Sequence, residues 1–162
     1  MQANSFIHTG ILGALAIVLI WAAATDLKSR RISNNLSLTI LVLFTAFAVL
    51  QLLAGADWKS TVLWPVVAAT IVFAFGLGLF AARLMGGGDV KLMAAVALFA
   101  GPALSLNFIL YVTIAGGLVA LATLLHARIK VADTSTAKVP YGVAITCGGL
   151  WVCFQRFSAL QA

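Results

Sequence analysis

The chain has 162 residues, 63% of them hydrophobic and only 9% charged, whereas a soluble domain carries about 25% charged residues. That balance excludes a soluble globular protein and indicates an integral membrane protein. The net charge of +6 does not indicate nucleic acid, because the basic residues are scattered over short loops and form no basic helix or arm.

In chain order the apolar segments are 6–24, 36–54, 62–82, 90–101, 104–127 and 141–157. A span needs about 20 apolar residues, with a range of about 17 to 25, so 90–101 is short. Either it stops early or it continues past Gly101-Pro102 with a kink, since a proline is tolerated in a membrane helix when neighbours satisfy the freed backbone. Ala22-Ala23-Ala24 looks like a signal-peptide end, but the charges follow the apolar run instead of preceding it, so the first segment reads as a retained helix. The polar stretches 26–35 and 128–140 are only loops. The expected fold is therefore all-α, a polytopic membrane bundle of about six transmembrane helices, with 1–162 forming a single integral-membrane domain.

Orientation follows from the basic residues. With the loops after the first, third and fifth segments in the cytoplasm, that side carries Lys28, Arg30, Arg31, Arg83, Lys91, Arg128, Lys130 and Lys138, against Lys59 and Arg156 outside. By the positive-inside rule the N-terminus lies outside. Asp26 and Asp89 then sit at the cytoplasmic edge and Asp57 at the opposite one.

The acid inventory is four aspartates, Asp26, Asp57, Asp89 and Asp133. A carboxylate bordering the hydrocarbon layer is costly and marks a functional-site hypothesis. Asp26 ends the first segment, and Asp89 follows Gly86-Gly87-Gly88 at the start of the fourth. Two carboxylates brought to one water cannot both ionise easily. One keeps a proton and polarises a scissile carbonyl, and the other deprotonates the water. The glycines permit a tight bend and close approach of an extended substrate, and their N–H groups suit a developing oxyanion. Gly86, Gly87 and Gly88 are therefore the candidate substrate-binding residues. The plain alternative is a loop in which Asp89 caps the following helix.

Asp133, between Lys130 and Lys138, reads as a solvated loop charge and is the rival second carboxylate. His8 and His126 lie on opposite faces and make no metal site. Cys147 and Cys153 are six residues apart, about 9 Å along a helix, too far for a bridge, and read as buried thiols. Neither a metal nor a cofactor is expected. Lys28, Arg30, Arg31 and Lys91 flank the proposed pair and suit orientation and headgroup binding. Gly76, Gly78, Gly116 and Gly117 suit close helix packing.

The order of these elements resembles the type IV prepilin peptidases. The resemblance rests on an Asp at the cytoplasmic end of an early helix and a basic stretch running into Ile32-Ser33-Asn34-Asn35. It continues in a Gly-Xaa-Gly-Asp motif, here Gly86-Gly87-Gly88-Asp89 followed by Val90-Lys91-Leu92, and in Val139-Pro140-Tyr141-Gly142 opening the last helix. It covers 26–149. It implies a multi-pass aspartic endopeptidase of the bacterial inner membrane that removes the short basic leader of prepilins or pilin-like proteins at the cytoplasmic face, with Asp26 and Asp89 catalytic. The compact form is most similar to the Tad/Flp pilus branch. Ser33 stands where many relatives have proline, which implies a looser turn into the second segment. No cofactor pocket for N-methylation is evident.

Other readings are a scaffold that lost peptidase activity, an ion- or proton-coupled transporter, and a presenilin-type protease. A transporter predicts paired half-helices and symmetry between halves, and no convincing repeat is present. Short length and an Asp at the end of the first helix favour the prepilin branch over the presenilin type.

Overall fold

The structure, a computed structural model, describes residues 2–30, 32–129 and 140–161. Arg31, Lys130, Asp133, Lys138 and Val139 lie outside the described residues. The chain forms α1 (Gln2–Ser29), α2 (Asn34–Leu53), α3 (Trp64–Ala81), α4 (Gly87–Ile129) and α5 (Tyr141–Gln161), and a π-helical turn, Lys59–Leu63, leads into α3. No strand occurs among the described residues. The all-helical expectation therefore holds. Among the described residues, four stretches are long and apolar enough to cross a membrane, namely Phe6–Ser29, Asn34–Leu53, Lys59–Ala81 and Gly87–Leu125.

The bundle is built around the first part of α4. There Val90, Leu92, Met93 and every residue from Ala95 to Ala100 are buried, which is the pattern of a helix covered on all sides. α2, α3 and α5 pack against α4, and α1 packs on α5 and α2. α1 contributes Leu12, Leu15, Leu19 and Ala22, and α2 contributes Ile40, Phe44 and Ala48; both sets recur every three or four residues and so form one face of each helix. The opposite faces expose Ile17, Trp21 and Leu41, and α3 and α4 likewise expose Ile71 and Leu106, which suits a lipid environment, where outward apolar side chains carry no penalty. A buried interhelical bond from Thr146 Oγ1 to the Leu19 carbonyl, 2.8 Å, ties α5 to α1.

α4 does not run straight. Gly101 has φ 61° and ψ −176°, a conformation open essentially to glycine alone, and Pro102 follows it. The chain folds back there. A Cβ on Gly148 would touch Val112 and Phe108, while one on the adjacent Gly149 would touch Val96 and Leu19, so both parts of α4 flank the same turn of α5. The short 90–101 segment of the sequence is thus the inner arm of a helical hairpin. At about 1.5 Å per residue, 87–100 is roughly 21 Å long, less than the ~30 Å hydrocarbon layer.

Breaking a helix orphans carbonyls. Here Arg156 of α5 supplies the donors, Nε to the Phe99 carbonyl at 2.9 Å and Nη2 to the Ala100 carbonyl at 3.1 Å. Ser105 Oγ donates to the Gly101 carbonyl at 2.6 Å. Arg156 therefore holds the hairpin bend as well as adding charge at that end of the bundle. Each buried acceptor left unpaired costs about 1–3 kcal/mol. Arg156→Ala is expected to destabilise the protein by about 2 kcal/mol, read as a lower Tm in detergent; a wild-type melting curve would refute this role.

Two sequence readings change. Cys153 is buried but Cys147 is exposed, because six residues at 3.6 per turn place the two thiols about 120° apart around the helix. Ser33 does not loosen the entry to α2. Its Oγ accepts the Asn35 N–H at 3.3 Å and caps the helix, a role proline cannot fill.

Candidate active site

The last turn of α1 carries Asp26, only 4% exposed. The helix ends when Arg30 adopts φ 50° and donates its N–H to the Asp26 carbonyl at 2.8 Å. After the bend, Ile32 is wedged between the N-termini of α4 and α5. A Cβ on Gly88 would lie 2.8 Å from the Ile32 carbonyl oxygen, and a Cβ on Gly142 would lie 2.9 Å from Ile32 Cδ1 and 2.8 Å from Asp26 Oδ2. Glycine at 88 and 142 is what lets three chain segments meet there. The Gly142 N–H donates to Asp26 Oδ2 at 2.7 Å. Gly142 is in the first turn of α5, so Asp26 satisfies one of the orphan donors of that helix and lies at the positive end of its dipole.

Asp89 is held the same way by α4. At the end of α3, Leu84 N–H donates to Leu79 O and Arg83 N–H to Phe80 O, both at 2.9 Å. Arg83 itself takes φ 59°. This is the Schellman pattern with an arginine at the left-handed position, and it turns the chain sharply into the glycine triplet. α4 then begins at Gly87, and Asp89 Oδ2 accepts the Gly86 N–H at 3.1 Å, the side-chain half of a capping box. The capping role weighed from sequence is therefore present, and it occupies one oxygen. Oδ1 of Asp26 and of Asp89 has no protein hydrogen bond among the described residues.

Although 63 positions separate them in the chain, Asp26 and Asp89 line one cavity of about 760 Å³ together with Arg30, Arg83, Gly86 and Tyr141. Phe80, Leu84 and Met85 supply apolar wall. Two carboxylates and two guanidiniums around one cavity make a site able to bind a peptide group and activate water. Of the glycine triplet, Gly86 lines the cavity; Gly87 lies against the Phe80 ring and Gly88 against Ile32.

Several other polar groups are engaged elsewhere. Lys91 Nζ donates to Asn34 Oδ1 at 3.1 Å and does not line the cavity. Asp57 Oδ2 accepts the Ser60 N–H at 3.0 Å and caps the turn before α3. His8 is buried with its ring edge-on to Phe47, and at about 1.5 Å per residue the eighteen steps along α1 from it to Asp26 span about 27 Å.

A family model described as the type IV leader peptidase family matches residues 13–121. The chain belongs to this family. The matched region is about two thirds of the chain and includes Asp26, the glycine triplet and Asp89. No curated protein and no solved structure matches the chain significantly. As a leader peptidase it is a hydrolase of peptide bonds, and its apolar helices make it a multi-pass membrane protein. Sequence reasoning had not placed Arg83, Met85 or Tyr141 in this leader peptidase's cavity, nor linked Gly142 to Asp26. The Tyr141-Gly142 pair was visible as a motif, but its partner is 116 residues away.

Proposed function

We propose that Asp26 and Asp89 are the catalytic pair of an aspartic endopeptidase that removes the leader of Flp-type prepilins. The observation that carries this is the shared cavity, into which two carboxylates from distant parts of the chain are each fixed by a helix N-terminal N–H. Fixing one oxygen by a backbone donor leaves the other to bind water or the scissile carbonyl. In the reaction, one carboxylate takes a proton from water as its oxygen adds to the carbonyl carbon, and the protonated partner hydrogen-bonds the carbonyl oxygen. Collapse of the tetrahedral intermediate breaks the C–N bond, and the proton passes to the departing amine. The Gly86 backbone at the cavity wall offers an edge for an extended leader, with Gly87 and Gly88 keeping that wall thin.

The proposed topology has about six membrane segments, counting the arms of α4 separately, the inner one shorter than the hydrocarbon layer, and α5 as the last, in one domain over 1–162. The N-terminus is outside, and the cavity opens to the cytoplasm from a bacterial inner membrane, by the excess of Lys and Arg on that side. A prepilin leader is polar and basic and the segment after it is an apolar helix, so the cut falls at the interface depth of Asp26 and Asp89.

Co-expression with a Flp-type prepilin tests the reading. The expected product lacks the leader and begins at a single new N-terminus on protein sequencing. Full-length prepilin in the presence of abundant, membrane-inserted enzyme would overturn it and favour a scaffold or transporter instead.

A further inference from the structure

The catalytic cavity does not end at its apolar wall. A second cavity of about 270 Å³ lies between α3, the outer arm of α4 and the start of α5, and Met85 and Tyr141 line both spaces. Its other walls include Leu79, Met93, Thr113, Gly116 and Gly117. It is deeper in the bundle than the carboxylates. Met93 is four residues after Asp89, about one helical turn or ~6 Å further in, and Phe75, also on its wall, is five residues before Phe80 of the catalytic cavity. Its volume falls just below the roughly 300–1,000 Å³ of pockets that take whole small molecules, which suits one large side chain.

The polar capacity of this space is low. Thr113 Oγ1 is already bonded to the Ile109 carbonyl at 2.8 Å. The two glycines differ in an informative way. A Cβ on Gly116 would rest 3.5 Å from the Tyr141 ring and 3.6 Å from Ala144, so Gly116 sits in a packed contact, whereas a Cβ on Gly117 would meet nothing within 4 Å. A glycine inside a helix costs about 1 kcal/mol relative to alanine. Close packing does not explain it at 117, which lies on the wall of this cavity.

We propose that this second cavity is a specificity subsite, taking the large apolar side chain that immediately follows the scissile bond on the membrane-helix side of the substrate. It rests on the peptidase reading above and deepens it. Depth decides the side of the bond. The polar leader leaves toward water from the carboxylates, and the residue entering the bundle is the first of the apolar segment. Met85 and Tyr141, shared by both cavities, form the rim across which the substrate backbone passes.

The test measures kcat/KM of the full-length enzyme on two prepilins that differ only in carrying Leu or Ala directly after the cut. Filling or leaving empty an apolar pocket discriminates by about 10- to 200-fold, so the wild type should favour Leu at least about 10-fold. Gly117→Leu, whose side chain would occupy the space, should reduce that ratio to near one. A ratio unchanged in Gly117→Leu overturns the subsite while leaving the peptidase reading intact; a wild type that cleaves neither prepilin overturns both.

A second measurement holds even if that variant folds poorly. In a background with Asp89→Asn, Cys147→Ala and Cys153→Ser, which keeps the prepilin uncleaved, Gly117→Cys should form a disulfide with a prepilin bearing cysteine directly after the cut when copper–phenanthroline is added as the oxidant. Ile17→Cys, on an exposed face of α1, should not. Equal cross-linking at 17 and 117 overturns the proposal.

Discussion

Asp26→Asn and Asp89→Asn are each expected to lower leader cleavage by at least about 10³-fold, within the range associated with loss of general acid–base catalysis, while leaving membrane abundance near the wild-type level. The separation of effects follows from the geometry. The amide oxygen of asparagine can still accept the Gly142 N–H in place of Asp26 and the Gly86 N–H in place of Asp89, so the helix N-termini of α5 and α4 remain satisfied. What is lost is the ability to take a proton from water or to share one across the cavity. The double variant should be no worse than either single one, because members of a catalytic unit are strongly non-additive. Asp57→Asn should be silent, since its cap on Ser60 is equally available to an amide. Asp133→Asn should at most weaken processing. An inactive Asp133→Asn beside an active Asp26→Asn would mean that the pair is wrongly assigned, and normal cleavage in all four would end the aspartic reading.

Gly142→Ala should also be damaging, although it changes no ionisable group. The new Cβ would lie 2.8 Å from Asp26 Oδ2 and 2.9 Å from Asp26 Cβ. The Cβ contact cannot be relieved by rotating a flexible side-chain end, so α1 and α5 must separate or the carboxylate must move. A displacement on the order of 1 Å at a reacting group costs about 10²-fold in rate, and that is the loss expected in kcat. Gly78→Ala is the matched control, since its Cβ would meet nothing within 4 Å and cleavage should stay at the wild-type rate. If Gly142→Ala processes prepilin as fast as Gly78→Ala, the bond from Gly142 to Asp26 does not position the carboxylate.

The sequence by itself determined that the protein is a membrane helix bundle and which carboxylates are candidates for chemistry. Its apolar runs are too long and too continuous for anything else, and four acids among 162 residues leave few choices. Motif order also supplied the family, because Asp26, Gly86-Gly87-Gly88-Asp89 and Tyr141-Gly142 keep their order along the chain. Tertiary structure decided how those residues meet. The hairpin at Gly101 was invisible as such, since a short apolar run before Gly-Pro describes a kink, an early stop or a reversal equally well. Only the packing of Val96 and Val112 beside adjacent glycines of α5 selects the reversal. Arg156 looked like an orientation charge because nothing local shows that its partners are carbonyls 56 and 57 residues away. The hold on Asp26 spans 116 residues. Hydropathy and local motifs report what each segment can bury, whereas a carboxylate's hydrogen-bond donors are fixed by which helix ends converge on it, and that convergence is a property of the assembled bundle.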